Sequence, residues 1–154
     1  MVLPDVNVLV AAYRADSPEH ERCHAWLTSV ANGDDAFALS EIVLSGFLRI
    51  VTNPRAFKQP SSLASALEFV NTFRAVPHCI DLRPKERHWK IFARLCEQAE
   101  AKGDLVADAY HAALAIESGS EWITLDGDFA RFPGLKWSRP PQIHQVIHQA
   151  GEAL

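Results

Sequence analysis

Short apolar segments alternate with longer helical patterns along this chain, and no other feature constrains the fold as strongly. Strand-like runs are predicted at residues 2–4, 36–39, 79–82 and 122–125. The stretches between them place apolar residues at helical spacing, as residues 18–31 do with i, i+3, i+4 and i+7. Strands separated by helices favour a parallel sheet covered on both faces, so we predict the α/β class.

The helical patterns are bounded by proline, glycine and capping residues. Helices are predicted at residues 6–14, 18–31, 40–52, 60–74, 84–102 and 105–117, with a C-terminal helix at 142–150. In the fifth of these, Trp89, Phe92, Ala93 and Cys96 are predicted to share the apolar face. Residues 133–140 are predicted to add a last strand at the edge of the sheet, which gives four or five strands.

Composition is that of an ordinary globular protein, with 48% hydrophobic and 22% charged residues in 154. There is no apolar run of about 18 residues, so the sequence predicts no membrane span. The apolar N-terminus carries Asp5 and lacks a preceding basic region, unlike a secretory signal. The three cysteines include no CxxC pair, which suits reduced thiols, and we predict a cytoplasmic protein. A net charge of −4 argues against binding nucleic acid through overall charge.

Acidic residues follow the predicted strands or lie in apolar surroundings. Asp5 ends the first strand, Glu41 begins the helix after the second, Asp126 and Asp128 follow the fourth, and Asp108 lies in an apolar helix. Ligands of open parallel sheets bind at the carboxyl ends of the strands. Carboxylates about 4 Å apart repel by about 4 kcal/mol per pair, which a hard cation such as Mg²⁺ or Mn²⁺ relieves. Such a site is typical of phosphodiester hydrolysis.

Each acid also has a plain structural interpretation. Glu41 fits the first turn of a helix, where the dipole favours a negative charge. Asp126 and Asp128 flank Gly127 and fit a turn. Asp104 fits a helix N-cap. Asp5 and Asp108 are harder to place on the surface, and the whole set is more specific than any member.

Four segments, "DVNVLVAAYR", "ALSEIVLSGFLRIVTNPRAF", "LVADAYHAALAI" and "TLDGDFARFPGLKW", resemble the PIN domains of VapC-type toxins from toxin–antitoxin pairs. The resemblance covers about residues 3–141. It implies a single PIN domain over residues 1–154, a doubly wound α/β/α sandwich around a parallel sheet of four or five strands. It also implies a Mg²⁺- or Mn²⁺-dependent endoribonuclease, a homodimer, and a VapB-like antitoxin whose tail blocks the active site. The apolar pattern of residues 63–73 gives weak support to the dimer.

The resemblance assigns roles residue by residue. It implies that the catalytic and metal-binding acids are Asp5, Glu41, Asp108 and Asp126, with Asp128 as an auxiliary ligand and with Asn7 and Thr124 orienting them. His111 departs from the family pattern, and we interpret it as pairing with Asp108 or as part of a buried surface. Candidates for contacting the RNA backbone are Arg14, Arg49, Arg55 and Lys58. We identify no stretch of interleaved aromatic and basic residues that would indicate an RNA-binding surface, so the base preference is not predicted.

Three competing functions are weighed against the ribonuclease. Residues 20–24, "HERCH", match the H-E-x-x-H pattern of zinc proteases, but they begin a helix whose apolar face would turn Glu21 toward water. A PIN-like module that binds RNA or a partner without catalysis usually lacks some of the acids, all of which are present here. A PIN nuclease acting on DNA is disfavoured by the small size of the chain.

Overall fold

The computed structural model describes residues 1–142, and the predicted C-terminal helix therefore lies outside the described residues. Five strands form one sheet in the order β3-β2-β1-β4-β5, and every neighbouring pair is parallel. The strands are β1 Val2–Pro4, β2 Phe37–Leu39, β3 Cys79–Asp81, β4 Glu121–Ile123 and β5 Trp137–Ser138. The predicted α/β class with a parallel sheet is confirmed.

Six α-helices connect and cover the strands. They are α1 Val6–Tyr13, α2 His20–Asn32, α3 Glu41–Val51, α4 Leu63–Arg74, α5 His88–Gln98 and α6 Asp104–Ser118. All six were predicted, with ends shifted by a few residues where capping decides the boundary. Ser62, for example, accepts a hydrogen bond from the Ser65 backbone N–H and begins α4 three residues later than predicted. A short 3₁₀ helix at Gly127–Arg131 was not predicted.

The chain order of the strands locates the functional end of the sheet. From β1 the chain passes to β2 and β3 on one side, and then returns to β4 and β5 on the other. The carboxyl ends of β1 and β4 therefore form the switch point at which open parallel sheets bind ligands. Leu3 and Trp122 are fully buried beneath it and hold these two strands in the core.

The buried face of α5 differs from the predicted face. His88, Ile91 and Leu95 are buried, whereas the Trp89 side chain is 71% exposed. His88 is accommodated because its Nε2 donates to the Tyr110 carbonyl oxygen at 3.0 Å, so a residue counted as polar lies in the core. This rotates the apolar face by about one residue, or about 100°. Within residues 1–142 no helix is long and apolar enough to cross a membrane.

Candidate active site

A cavity of about 550 Å³ lies at the carboxyl ends of β1 and β4. Its charged lining residues are Asp5, Asp104, Asp108, Asp126 and Arg49. Three of the four acids predicted for the site are therefore brought together from three separate segments of the chain. Their surplus of negative charge is the main electrostatic property of the cavity.

Asp5 is the most constrained of these acids. It follows β1 directly, caps α1, and is only 7% exposed. Its Oδ1 accepts from the Val6 backbone N–H at 2.6 Å and its Oδ2 accepts from the Thr124 hydroxyl at 2.6 Å. Burial raises the pKa of Asp5 to about 6, the nearby charges of Asp108 and Asp126 act in the same direction, and the two hydrogen bonds oppose them.

Thr124, at the end of β4, connects the acids to the sheet. Its fully buried hydroxyl donates to Asp5 and accepts from the Asn7 side-chain amide at 3.2 Å and from the Asp126 backbone N–H at 3.0 Å. The Asn7 Oδ1 in turn accepts from the Leu125 backbone N–H at 3.1 Å. These bonds link the start of α1 to the segment after β4, and they fix the Asp5 carboxylate relative to the Asp126 backbone.

Asp108 and Asp126 complete the group that faces the cavity. Burial is the main cause that raises the pKa of Asp108, and the charges of Asp126 and Asp104 raise it further. The Asp126 Oδ1 accepts from the Asp128 backbone N–H at 2.9 Å and so begins the 3₁₀ helix. Asp128 does not line the cavity, although its charge also acts to raise the pKa of Asp108. Its side chain is 76% exposed, with Oδ2 3.9 Å from Arg131 Nη2. Carboxylate pKa values raised by burial and by neighbouring acids, as for Asp5 and Asp108, are characteristic of sites that bind a cation or share a proton.

Glu41, the remaining predicted acid, does not line this cavity. It begins α3 after β2, and its side chain is 54% exposed. Its Oε1 accepts from Arg83 at 3.0 Å and lies 3.6 Å from Arg74. Both arginines are on the β3 side of β2, so these ion pairs draw Glu41 away from β1. The fourth acid lining the cavity is instead Asp104, the first residue of α6, which sequence reasoning had treated only as a cap.

The four predicted RNA-contacting cations have different environments. Arg49 lines the cavity, and Arg55 and Lys58 are exposed in the loop after α3. Arg14 has a local structural role, because it donates to Asp16 at 2.6 Å and to the Gln59 carbonyl oxygen at 2.8 Å. The geometry therefore favours Arg49 over Arg14 as a contact for a phosphate at the acidic cavity.

His111 lies in the cavity wall one turn after Asp108. Its ring stacks on Trp122, with 5.3 Å between the ring centroids and an angle of 16°. Burial lowers the pKa of His111 to about 4, so the ring is neutral at pH 7. Its Nδ1 atom is buried and has no hydrogen-bond partner among residues 1–142. These contacts support the interpretation of His111 as part of a buried surface.

A zinc site at residues 20–24 does not form. The His20 Nδ1 donates to the Ala11 carbonyl oxygen at 2.9 Å, and its ring lies 5.3 Å from that of His24. Across the described part of the chain, no three histidine, cysteine or acidic side chains are placed to hold a metal ion. The cavity aspartates therefore do not form a closed cage. Their oxygen-only donor set still fits Mg²⁺, which is commonly held by one or two carboxylates and several waters.

Comparison with known proteins agrees with this architecture. A family model, the PIN domain, matches residues 2–135. Ribonuclease VapC43 of Mycobacterium tuberculosis is 44% identical over 140 residues, which are 91% of this chain and 95% of that protein. Two solved structures share the fold. VapBC2 from Rickettsia felis, bound to a DNA fragment from its promoter, has a TM-score of 0.65 at 19% identity and covers 90% of this chain and 98% of its own. VapC20 of M. tuberculosis, a sarcin-ricin loop cleaving toxin, has a TM-score of 0.62 at 15% identity. The match covers 88% of this chain and 98% of VapC20. The chain belongs to the PIN-domain family and, within it, to the VapC ribonucleases.

Proposed function

We propose that this chain is the endoribonuclease toxin of a type II toxin–antitoxin system, and that it hydrolyses RNA phosphodiester bonds at the cavity of Asp5, Asp108 and Asp126. The observation that carries the proposal is the convergence of these carboxylates at the switch point of the sheet, where burial and mutual repulsion raise the pKa of Asp5 and of Asp108. Such a group of acids is stabilised by binding a cation.

The cofactor we propose is Mg²⁺ or Mn²⁺, because every cavity acid offers a hard oxygen donor. When bound, a divalent ion activates water and stabilises the charge that develops on the attacked phosphate. The roles of the protein groups follow from their contacts. Asp5, Asp108 and Asp126 bind the ion directly or through water, and Thr124 and Asn7 hold Asp5 in position.

Two further residues line the same cavity and act on its periphery. Arg49 lines the cavity, which supports a role in contacting a phosphate oxygen of the RNA, and its fixed charge offsets part of the acidic surplus. Asp104 lies one turn before Asp108 on α6 and lines the same cavity, where its carboxylate would add negative charge for a bound cation. Glu41 has no part in this proposal, since its carboxylate is engaged by Arg83.

We also propose a VapB-like antitoxin as a partner, since VapBC2 of Rickettsia felis is a toxin–antitoxin pair of the same fold. A homodimer is proposed from the outer face of α4, where the side chains of Leu63 and Leu67 are 56% and 38% exposed. RNA is the substrate, so we place the protein in the cytoplasm. Light scattering of the chain, alone and with a Leu67→Glu substitution, tests the dimer.

The function is tested by incubating the purified chain with cellular RNA in EDTA and after adding back Mg²⁺ or Mn²⁺. We expect cleavage only with the divalent ion, and a loss of about a hundredfold or more in Asp108→Asn. Asp128→Asn is the matched control, because that carboxylate is exposed outside the cavity, and it should cleave normally. Cleavage that persists in EDTA, or an unchanged rate in Asp108→Asn, contradicts the proposal. RNA binding without any cleavage would instead identify a non-catalytic module.

A further inference from the structure

An RNA-cleaving site this acidic needs a positive surface elsewhere to hold its substrate. The cavity is lined by four aspartates and by Arg49, and the whole chain has a formal charge of −4. Affinity for nucleic acids comes largely from neutralising phosphates with lysine and arginine. The cavity repels a polyanion unless a cation is bound, so the affinity for RNA has to arise from a local basic surface.

Helix α5 and the residues before it provide such a surface. Four cations occur within residues 85–94, against the one acid Glu86, and all four are exposed: Lys85, Arg87, Lys90 and Arg94. Arg87, Lys90 and Arg94 follow helical spacing, and they line a shallow depression of about 590 Å³. The other lining residues are Ile91, Ala93 and one acid, Glu97. We call Arg87, Lys90 and Arg94 the α5 basic stripe.

Within residues 1–142, the cations of the α5 basic stripe form no ion pairs with acids. In the part of the chain that the structure describes, no carboxylate oxygen lies within 4.0 Å of their side-chain nitrogens. Arg87 donates a hydrogen bond to the Glu117 carbonyl oxygen at 3.2 Å. Arg14, Arg83 and Arg131, by contrast, each form an ion pair with an acidic side chain. The stripe is therefore available to an external anion.

An exposed aromatic ring lies on the same helix as the stripe. Trp89 is 71% exposed and is supported by Phe92, with 5.4 Å between their ring centroids. It precedes Ala93, which lines the depression, by one helical turn. Trp26 and Trp122, by contrast, are buried in the core. Cationic grooves beside solvent-facing aromatic rings are typical of proteins that bind single-stranded nucleic acid, because bases stack on the ring.

The stripe also points toward the catalytic end of the molecule. The Lys85 backbone N–H donates to Glu117 at 2.7 Å and His88 donates to Tyr110 at 3.0 Å, so α5 and α6 are antiparallel. The C-terminal end of α5, with Arg94, therefore lies toward the N-terminal half of α6, which carries Asp104 and Asp108. The stripe spans about 10 Å along the helix axis, enough for a short stretch of backbone.

We infer that Trp89 and the α5 basic stripe form an accessory surface that binds single-stranded RNA outside the catalytic cavity. The inference rests on the proposed ribonuclease function and adds a substrate-binding surface to it. One base stacks on Trp89, and phosphates contact Lys90 and Arg94. The same residues, "KERHWKIFAR", interleave aromatic and basic side chains, so a signal was present in the sequence that its interpretation had passed over.

The test measures binding of a fluorescein-labelled single-stranded RNA of about 12 nucleotides to the full chain in EDTA, which prevents cleavage. Trp89→Ala should weaken binding by about 5- to 100-fold, whereas Trp89→Phe should retain most of the affinity. Lys90→Gln combined with Arg94→Gln should flatten the slope of log K against log salt by about 1.4. Lys136→Gln, an exposed cation outside the stripe, is the matched control and should leave affinity and slope nearly unchanged.

The outcomes separate this inference from the proposed function. If the unsubstituted chain binds the RNA and all stripe variants bind it equally well, the inference is wrong and the ribonuclease proposal stands. If the unsubstituted chain does not bind the RNA in EDTA, the inference is wrong, and the ribonuclease proposal is decided separately by its cleavage assay with Mg²⁺ or Mn²⁺. If Trp89→Ala changes the oligomeric state in light scattering but not RNA affinity, the surface joins copies of the chain and the inference is wrong. Thermal unfolding of each variant checks that these surface substitutions leave the fold intact.

Discussion

Burial of Asp5 makes the metal-free protein less stable at neutral pH, and an asparagine at this position should relieve that cost. The pKa of Asp5 is raised to about 6 from 3.8, because of burial and the charges of Asp108 and Asp126. The folded state therefore holds a proton more tightly than the unfolded chain, and stability falls as the pH rises from about 4 to about 6. Above that pH window, the buried charge of Asp5 lowers the free energy of unfolding by about 3 kcal/mol.

The net effect of Asp5→Asn is smaller than this full cost. Thr124 accepts from Asn7 and from the Asp126 backbone, so its one hydroxyl proton is committed to Asp5. An amide offers one oxygen, which the Val6 N–H occupies, and the Thr124 bond is lost at about 1 kcal/mol. We therefore expect Asp5→Asn to be about 2 kcal/mol more stable than the wild type at pH 7.5 in EDTA, and about 1 kcal/mol less stable below pH 4.

Urea unfolding followed by circular dichroism at these two pH values measures the difference in free energy of unfolding. The contributions of other titrating groups cancel between the two proteins. Adding Mn²⁺ at about 100 times its Kd should stabilise the wild type by about 2.7 kcal/mol and remove the advantage of the variant. Asp128→Asn serves as the control, since it removes a carboxylate that is exposed outside the cavity. A variant that is less stable than the wild type at pH 7.5 in EDTA refutes the reasoning.

Two other substitutions test the surroundings of the acids. Thr124→Val keeps the shape of the side chain but removes three hydrogen bonds, and we expect urea unfolding to show a loss of about 1–3 kcal/mol together with slower RNA cleavage; unchanged stability and rate would exclude an orienting role. His111→Leu removes a ring whose pKa is lowered to about 4 by burial. Since the unfolded state binds more protons between pH 4 and 6.5, the wild type loses stability as the pH falls through that window, and the variant should lose less; parallel pH profiles would contradict this.

The sequence was sufficient to predict the layers of the fold and the position of Asp5 and Asp126. Both acids follow strands of a parallel sheet. The carboxyl ends of β1 and β4 lie side by side at the point where the strand order reverses. Asp108 was found by a different signal, a charge in an apolar helix. These predictions depend on local pattern and on sheet topology, which the order of elements largely determines.

The ion pairs of Glu41 were not predicted, because side-chain direction depends on distant partners. An acid at the start of a helix after β2 is evident in the sequence, but the arginines that draw it toward β3 come 33 and 42 positions later. The exposed face of α5 was missed for a related reason. The predicted apolar face did not include His88, although a hydrogen bond to the Tyr110 backbone allows it to be buried. With His88 in the core, Trp89 turns to solvent.

Binding of Mn²⁺ by isothermal titration calorimetry at pH 7.5 tests most directly the claim that Asp5, Asp108 and Asp126 form the metal-binding catalytic centre. We expect the wild type and Glu41→Gln to bind with equal affinity, because Glu41 is paired with Arg83 outside the cavity. Asp108→Asn should bind at least about tenfold more weakly. Unchanged binding by Asp108→Asn, or loss of binding in Glu41→Gln, would contradict this placement of the site.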